Sequence, residues 1–466
     1  MNERNRKTTR RDFLKAAGLA VAAPYVIPSS ALAGGAAAPS ERIAIGLIGA
    51  GNINTNFHMN VLLGCADARI VGVADPFTDR RQRMRDTVNK RYGQQVCTDH
   101  ADFREMLARP DVDAVCIGTP DHWHALHAVT AMKAGKDVYV EKPMTHTIAE
   151  GRILADTAAA YGRVLQVGIQ QRSDGNFRFA CELARNGRVG KLQVVKVGVV
   201  GINGDVQAGK SFPTQPVPAG FDYDMWQGPA AVRPYCPERV HRGDNSCYWY
   251  YISDYTIGFL SGWGVHHVDI AQWGMGMDHT GPVEVHCTSA TIPPDGLIDD
   301  VIYWTSECTY ANGLKMIFSS NNNPVPQGIR FEGDEGWVWV DRGRLDANPK
   351  SLLKSVIGPS EIHLYESPEH HRNWLDCIRS RKPTAATAEI GHRATSTCNL
   401  VEVAARLGRT VKWDPAKERF IGDDQANRLL SKAMRAPWSR EGLCQSVSRR
   451  ADRRKQTPMT PTDIGS

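Results

Sequence analysis

The sequence predicts an α/β protein whose N-terminal part is a doubly wound, mainly parallel sheet. Two observations support this class. Residues 42–141 alternate apolar runs with helical patterns, which is the order expected of parallel strands joined by helices. The first apolar run ends in a glycine turn, Gly49-Ala50-Gly51, directly before a helical pattern.

The predicted strands of this region are continuous apolar runs, as expected of strands buried on both faces of a parallel sheet. They are RIAIGLIGAG, ARIVGVADP, VDAVCIGTP and KDVYVEKP. Helices are predicted between them from NTNFHMNVLLG, DRRQRMRDTVNKRYG, HADFREMLA and HWHALHAVTAMKAG. Further along, the alternation from LKMIFSS to GWVWVDRG indicates strands, and residues 365–408 read as two helices around a proline turn.

The N-terminus, residues 1–33, is predicted to be a targeting segment that is removed from the mature chain. A basic start is followed by a short apolar stretch and by Ala31-Leu32-Ala33, the form of a signal-peptidase site. The run TRRDFLK resembles a twin-arginine signal, whose route exports folded proteins. We therefore expect a periplasmic protein; the alternative interpretation of this segment is an amphipathic helix at a membrane surface.

Charge and cysteine usage exclude several classes of partner. Of the 466 residues 42% are hydrophobic, and the formal net charge of +6 is concentrated at the two ends of the chain. A near-neutral body argues against a nucleic-acid surface, and no segment after the signal is apolar enough to cross a membrane. Residues 439–466 are predicted to form a basic disordered tail. Cysteine and histidine pairs at zinc spacing are absent from the sequence, so we expect no metal.

The glycine turn predicts a dinucleotide cofactor. Gly49 and Gly51 take the first two glycine positions of the dinucleotide fingerprint, Asn52 and Ile53 follow them, and Asn54 replaces the third glycine. Asp75 ends the second strand, at the position where an acid binds the adenosine ribose. A carboxylate repels a 2′-phosphate, so NAD is favoured, while Arg80 and Arg81 leave NADP possible.

The stretches GAGNIN, VADP, TPDHWHALHAVTAMKAGKDVYVEKP and WGVHHVDIAQWG together resemble the glucose–fructose oxidoreductase/inositol dehydrogenase/MocA-like (Gfo/Idh/MocA-like) family. The resemblance extends from about Arg42 to Asp414. It implies a Rossmann domain at 41–165 and a second α+β domain at 166–415, with a large open, mainly antiparallel sheet that often makes oligomer contacts. From their own pattern, the two helices near 365–408 are expected to pack back on the first domain. A homo-oligomer is therefore expected.

The same resemblance assigns one half of the site to the first domain. The residues implied to lie at the cofactor are Thr119, Pro120, Asp121, His124, Glu141, Lys142 and Gln170. Among them, Lys142 is the candidate catalytic residue, because an ammonium beside the reacting carbon can stabilise the alkoxide that forms as hydride leaves. Arg172 is implied to line the substrate cleft.

The other half of the site is implied to come from residues 260–274, a glycine-rich turn running into a helix. His266 takes the position of the family's proton acceptor, but Gly262 stands where the family carries an aspartate. Asp269 is the candidate to orient His266 instead. Trp263 and His267 complete the candidate substrate-side residues. The aromatic run at 248–251 is either core or a platform for a sugar.

These inferences predict an NAD(P)-dependent oxidoreductase that acts on a sugar, polyol or sugar derivative and holds its cofactor tightly. Tight binding is expected because an exported enzyme meets little free nicotinamide cofactor. The first alternative is an NAD-dependent, redox-assisted glycoside hydrolase or lyase, which the missing aspartate favours. The second is a nucleotide-binding sensor without turnover, which Lys142 and His266 argue against.

Overall fold

The computed structural model describes residues 41–202, 208–240, 248–320 and 325–444. The predicted signal segment, residues 1–33, lies outside the described residues, as does most of the predicted tail. Residues 439–444 are described, and they are folded: Leu443 is buried, and Lys133 donates to the carbonyls of Gly442 and Leu443. None of the described helices is long and apolar enough to cross a bilayer.

The first sheet has six strands, all parallel, in the order β3-β2-β1-β4-β5-β6. The strands are β1 (Ile43–Ile48), β2 (Ala68–Ala74), β3 (Thr98–His100), β4 (Ala114–Ile117), β5 (Asp137–Val140) and β6 (Leu165–Val167). Strand order reverses between β1 and β4, and ligands of such sheets bind at the carboxyl ends of the strands beside this point. The predicted doubly wound parallel sheet is confirmed.

Helices connect these strands on both faces of the sheet. A π-helical turn (Asn54–His58) leads into α1 (Met59–Gly64), and the others are α2 (Thr78–Tyr92), α3 (Phe103–Leu107), α4 (Asp121–Lys133) and α5 (Ile148–Tyr161). A capping box begins α5, in which Thr147 and Glu150 satisfy each other's backbone N–H groups. Helix α4 is buried on almost all sides, which explains its lack of a polar face.

The second sheet has nine strands in the order β13-β12-β11-β7-β10-β9-β8-β14-β15. They are β7 (Leu192–Val199), β8 (Glu284–Thr291), β9 (Tyr303–Thr309), β10 (Lys315–Ser320), β11 (Gly328–Gly333), β12 (Trp337–Asp341), β13 (Arg344–Asn348), β14 (Val411–Asp414) and β15 (Arg419–Phe420). Only β7 and β10 pair in parallel among its described ladders. The predicted mainly antiparallel sheet is therefore confirmed.

The helices after β6 pack on the second sheet, on the first sheet or on the connections between strands. They are α6 (Gly175–Arg185), α7 (Tyr223–Gln227), α8 (Pro237–Val240), α9 (Gly258–Gly262), α10 (Gly264–Met275), α11 (His370–Ser380), α12 (Ala388–Leu407) and α13 (Asp424–Arg428). The predicted glycine turn at 260–262 is already helical, since α9 spans it. Helix α12 lies against the first domain, where Thr395 accepts from the Met144 N–H at 3.3 Å and Asn399 donates to the His146 carbonyl at 2.9 Å.

Residues 218–228, which we call the clasp, run back over the first sheet from the connection between β7 and α9. The Thr78 N–H donates to the Gly220 carbonyl at 2.8 Å, and the Asp222 N–H donates to the Pro76 carbonyl at 3.1 Å. The rings of Phe77 and Phe221 stack with centroids 3.6 Å apart. The clasp is thus fastened to the loop that follows β2.

Candidate active site

The turn after β1 is shaped for close approach of a ligand to the backbone. Gly49 has φ +93, and a Cβ there would lie 2.8 Å from the Gly118 carbonyl oxygen, so only glycine fits. Asn54, at the third glycine position, is fully buried and donates to the carbonyls of Ile48 and Gly49 at 3.0 and 2.6 Å. The side-chain amide of Asn54 thus satisfies two carbonyls at the end of β1, and the helix that follows begins with a π-helical turn.

Asp75 lies at the end of β2 and braces the glycine turn. One carboxylate oxygen accepts from the Ala50 N–H at 2.6 Å, and the other accepts from the Phe77 N–H at 2.8 Å. Burial raises the pKa of Asp75, although these two N–H groups and the charges of Arg80 and Arg81 act to lower it. Each oxygen keeps a further lone pair, so the carboxylate can also accept from a ribose hydroxyl.

A cleft of about 580 Å³ lies along the carboxyl ends of β1, β2, β4 and β5. Its first-domain lining includes nearly all of the predicted cofactor residues: Gly49, Gly51, Asn52, Ile53, Asp75, Thr119, Pro120, Asp121, Glu141 and Lys142. Its opposite wall is formed by Met225, Trp226, Val240, Trp249, Tyr250 and Phe259. The glycine turn at one end, an acid to bind ribose and a cleft of this size together fit a nicotinamide dinucleotide.

The clasp closes the end of the cleft beside Asp75. The Arg80 guanidinium lies 3.9 Å from the centroid of Phe77, on which Phe221 also stacks. Trp123 of α4 donates to the Trp226 carbonyl at 2.9 Å, which fixes the far side of the clasp. Arg81 donates to Asp99 at 3.0 Å and to the Asp75 carbonyl at 3.4 Å. Both arginines therefore have partners within the protein at this end of the cleft.

Lys142 reaches across the cleft to the second domain. Its ammonium donates to the Gly262 carbonyl at 2.7 Å and to the Tyr250 hydroxyl at 3.2 Å. These bonds come from α9 and from the 3₁₀ turn Tyr248–Tyr251. The ammonium is therefore held at a fixed place in the wall of the cleft, where a substrate hydroxyl can approach it.

Glu141, the other member of the predicted pair, is bonded to one of a pair of histidines. It bonds to His58 at 3.0 Å, and His58 in turn contacts His371 of α11 at 2.7 Å. Burial acts to raise the pKa of Glu141, but the hydrogen bond and charge of His58 together with the charge and backbone N–H of Lys142 outweigh it and lower the pKa to about 2. Burial lowers the pKa of His58. Glu141 is thus an ionised carboxylate, and its negative charge compensates the positive charge of Lys142.

Asp121 and His124 lie at the start of α4, after the turn that contains Thr119 and Pro120. Asp121 accepts from the Thr256 hydroxyl at 2.7 Å, and burial raises the pKa of Asp121 to about 6. Both ring nitrogens of His124 face carbonyls, that of Pro143 at 2.7 Å and that of Thr119 at 2.9 Å. His124 is not part of the cleft lining; it joins the turn after β4 to the loop after β5.

His266 and Trp263 lie at the junction of α9 and α10. His266 is 3% exposed, and its Nδ1 has no hydrogen-bond partner among the described residues. Burial and the nearby ammonium of Lys142 lower the pKa of His266 well below its usual range. Trp263 is half-buried beneath the Arg342 guanidinium, at 4.6 Å. Among the described residues, no carboxylate lies where it could orient His266.

The remaining predicted residues form a buried network behind the cleft. Arg172 is paired with Asp269 at 2.8 Å and with Asp278 at 2.6 Å, so Asp269 does not contact His266. His267 bonds to the Gly198 carbonyl at 3.0 Å, and burial lowers the pKa of His267 to about 4. Gln170 donates to the Tyr139 hydroxyl at 3.4 Å. Arg172, Asp269, His267 and Gln170 are absent from the cleft lining and support the site from behind.

Several residues of the site had no signal in the sequence. Phe77 and Phe221 are far apart in the chain, and neither belongs to a motif. His58 lies one residue after a phenylalanine in an ordinary helical pattern. Only the aromatic run that contains Tyr250 suggested a site residue, and its contact with Lys142 could not be inferred from spacing.

Comparisons with known proteins agree with this architecture. The family model described as "Oxidoreductase family, NAD-binding Rossmann fold" matches residues 43–169. The family model described as "Oxidoreductase family, C-terminal alpha/beta domain" matches residues 186–440. Together they cover both sheets.

Individual relatives are more distant. A myo-inositol 2-dehydrogenase of Thermotoga maritima is 31% identical over 154 residues, which are 33% of this chain and 44% of the relative. A glycosyl hydrolase family 109 protein of Solibacter usitatus is 32% identical over 166 residues, 34% of this chain and 38% of the relative. The alignment thus spans less than half the length of each of these curated relatives.

Solved structures share the fold. The WlbA dehydrogenase of Bordetella pertussis, solved with NADH and UDP-GlcNAcA, has a TM-score of 0.58 and 19% sequence identity, over 80% of this chain and 99% of that chain. The matched family models and the cleft at the carboxyl ends of β1, β2, β4 and β5 lead to one conclusion: the chain belongs to the Gfo/Idh/MocA family of oxidoreductases and is an NAD-binding enzyme of that family.

Proposed function

We propose that this enzyme oxidises a carbinol carbon of a sugar, polyol or sugar derivative and keeps its NAD bound between turnovers. The single observation that carries the proposal is the Lys142 ammonium, fixed in the wall of the cleft by Gly262 and Tyr250. The similarity to a protein named myo-inositol 2-dehydrogenase supports a polyhydroxylated substrate.

In this proposal the first domain holds the cofactor and the second domain holds the substrate. Gly49 and Gly51 leave room for the pyrophosphate, Asp75 accepts from a ribose hydroxyl, and Thr119 and Pro120 border the nicotinamide. When bound, NAD accepts a hydride from a carbinol carbon. Lys142 then donates a hydrogen bond to the substrate oxygen and stabilises the negative charge that develops there. Glu141 keeps this part of the cleft close to electrically neutral.

The clasp supports tight retention of the cofactor. Release past the adenosine end requires that the main-chain bonds at Thr78 and Asp222 break and that the Phe77–Phe221 stack separates. A retained cofactor must be reset within each catalytic cycle. In the primary proposal a second sugar or carbonyl compound takes the hydride that the first substrate gave, so one substrate is oxidised and another is reduced.

A second candidate function is redox-assisted cleavage of a glycoside. The observation that favours it is Gly262, which removes the carboxylate expected beside His266, together with similarity to a protein named as a family 109 glycosyl hydrolase. In that reaction a sugar carbon is oxidised transiently, the glycosidic bond breaks, water adds and the hydride returns. The net change is hydrolysis, with no external oxidant.

A substrate deuterated at the carbon to be oxidised separates the two functions. We expect a two-substrate oxidoreductase to transfer deuterium to a second sugar, whereas a redox-assisted hydrolase returns it to the sugar from which it came. Mass spectrometry of the products measures the position of the label. If no aldose, inositol or p-nitrophenyl glycoside is turned over, both functions are contradicted and the nucleotide-binding sensor is favoured.

Retention of the nucleotide can be measured without a substrate. We expect protein purified through extensive washing and then denatured to release about one nicotinamide nucleotide per chain, because the clasp slows its escape. Phe221→Ala removes the stacked ring and should leave most chains empty. Val232→Ala, at a position 68% exposed in the same connection, is the matched control and should release as much nucleotide as the parent. An empty parent protein would refute retention.

The preference for NAD should depend on Asp75. We expect Asp75→Ala to weaken NAD binding by about 1–3 kcal/mol, the contribution of a charged hydrogen-bond acceptor, and to raise the proportion of NADP bound. Competition between the two nucleotides, followed by mass spectrometry, measures this change. Asp79→Ala removes an acid that is exposed on α2 and should change neither value. If the selectivity for NAD over NADP were unchanged in Asp75→Ala, another group would have to recognise the ribose.

We also propose that the protein is exported in folded form and that it assembles into a homo-oligomer. The twin-arginine segment leads us to propose that the chain folds around its cofactor before it is exported to the periplasm. The half-buried face of the second sheet, where β9 alternates buried and half-buried residues, supports a homo-oligomer.

A further inference from the structure

Gly262 leaves a space beside Lys142, and Tyr250 fills it. A Cβ built at residue 262 would overlap the ring and hydroxyl of Tyr250, so a side chain at 262 and the ring of Tyr250 cannot both be accommodated. The phenol therefore occupies the place into which an acidic side chain at 262 would project.

The Tyr250 ring is held rigidly at this place. It packs edge-on against Trp249, with centroids 4.9 Å apart, and lies at 5.3 Å from Phe259. Its hydroxyl accepts from Lys142 at 3.2 Å, while the same ammonium donates to the Gly262 carbonyl at 2.7 Å. Lys142, Trp249, Tyr250 and Phe259 all line the same cleft, so a substrate hydroxyl that reaches Lys142 also reaches Tyr250.

The neighbouring histidine is poorly equipped for proton transfer. The Nδ1 of His266 has no hydrogen-bond partner among the described residues, and Asp269 forms an ion pair with Arg172 instead. His266 itself is absent from the lining of the cleft. In contrast, a cation at hydrogen-bond distance favours the ionised form of a phenol, which makes a phenol–ammonium pair suitable for moving a proton to and from an alcohol.

We propose that Tyr250 is a catalytic residue, the proton acceptor and donor of this site, acting in place of the aspartate-oriented histidine. The proposal rests on the function proposed above. With bound NAD as the hydride acceptor, the ionised Tyr250 oxygen would take the hydroxyl proton of the carbinol as its C–H bond breaks, and the substrate would become a carbonyl compound. In the return step the phenol gives this proton back as the carbonyl is reduced. Lys142 keeps its charge throughout.

The test compares two tyrosines of one 3₁₀ turn. Turnover is measured on a panel of aldoses, inositols and p-nitrophenyl glycosides, and the fastest substrate is used for all variants. We expect Tyr250→Phe to lower kcat by about 10²- to 10⁴-fold, as for loss of a general base, with KM and nucleotide content little changed. Tyr251→Phe removes a hydroxyl from the buried neighbour and should leave kcat within about threefold of the parent. His266→Ala should lower kcat less than Tyr250→Phe does.

A rescue variant tests the exchange of the two acids directly. Tyr250→Ala opens the space beside residue 262, and the double change Tyr250→Ala with Gly262→Asp places a carboxylate there. We expect the double variant to recover at least about tenfold in kcat over Tyr250→Ala, because a carboxylate at this place can orient His266 as a base. A solvent deuterium isotope effect on kcat should be present in the parent and lost in Tyr250→Phe.

The outcomes separate this proposal from the proposed function. If Tyr250→Phe keeps near-normal kcat while Lys142→Met is inactive, the role of Tyr250 is refuted and the oxidoreductase function stands. If Tyr250→Phe loses its nucleotide as well as its activity, a structural role is indicated and the proposal fails. If the parent turns over none of the three substrate classes, the proposed function fails, and the catalytic role of Tyr250 fails with it.

Discussion

Lys142→Met should remove most of the turnover of the enzyme while leaving its fold and nucleotide content intact. The side chains have similar lengths, so the change chiefly removes a charge that is fixed in the cleft by Gly262 and Tyr250. That charge stabilises a substrate oxygen only as it becomes negative, so its loss raises the barrier more than it weakens substrate binding. We expect kcat to fall by about 10²- to 10³-fold, as for loss of one preorganised donor to a developing oxyanion.

Steady-state kinetics on the best substrate of the panel, with nucleotide content measured on the same preparation, tests this expectation. Lys412→Met is the matched control, because Lys412 is an exposed residue of β14. It should leave kcat unchanged. A Lys142→Met enzyme with kcat within about threefold of the parent would show that the developing charge is stabilised elsewhere.

The second large effect is on stability. Arg172→Met should lower the free energy of unfolding by about 3–5 kcal/mol, because it leaves the buried Asp269 carboxylate and the half-buried Asp278 carboxylate without a counter-charge. The Arg172 and Asp269 side chains are 2% and 1% exposed, and Arg172 also stacks on Trp273 at 4.9 Å. Burial acts to lower the pKa of Arg172, but Asp269 and Asp278 outweigh it and raise the pKa, so the arginine is charged.

Urea unfolding at constant nucleotide occupancy measures this loss, since bound nucleotide would otherwise add to the apparent stability. Arg172→Met combined with Asp269→Leu should be less destabilised than the sum of the two single changes, because the double variant leaves fewer unpaired charges buried. Lys315→Met breaks the half-exposed pair with Glu307 and should cost at most about 1 kcal/mol. A small loss of stability in Arg172→Met, with KM strongly raised, would instead indicate a direct role in substrate binding.

The sequence predicted four of the six strands of the first sheet but missed its two shortest strands. Strands β1, β2, β4 and β5 are largely apolar runs of four to seven residues, almost entirely buried, and each ends near the glycine or proline turn that forms the cleft. Strands β3 and β6 escaped prediction because they have only three residues each, and β3 is polar. Their place in the sheet is fixed by pairing with longer neighbours rather than by a pattern of their own.

The sequence correctly located the site residues that directly follow a strand. It did not reveal contacts between residues that are distant in the chain. Asp75, Glu141 and Lys142 follow directly from strand ends, so local order locates them. Arg172 and Asp269 are polar residues near the expected cleft, yet their mutual ion pair turns both away from it. The contact between Tyr250 and Lys142 joins positions more than 100 residues apart, which spacing cannot reveal.

The clasp bears on how binding measurements should be interpreted. A gate that is fastened at Thr78 and Asp222 slows entry and exit of the nucleotide by the same factor, because both directions pass through the same open state. We therefore expect the clasp to affect the residence time of the nucleotide more strongly than its equilibrium constant. Nucleotide content after washing reports how often the gate opens, whereas the dissociation constant reports contacts such as those of Asp75. If the clasp acts in this way, we expect the cofactor to stay bound through many turnovers at an ordinary affinity.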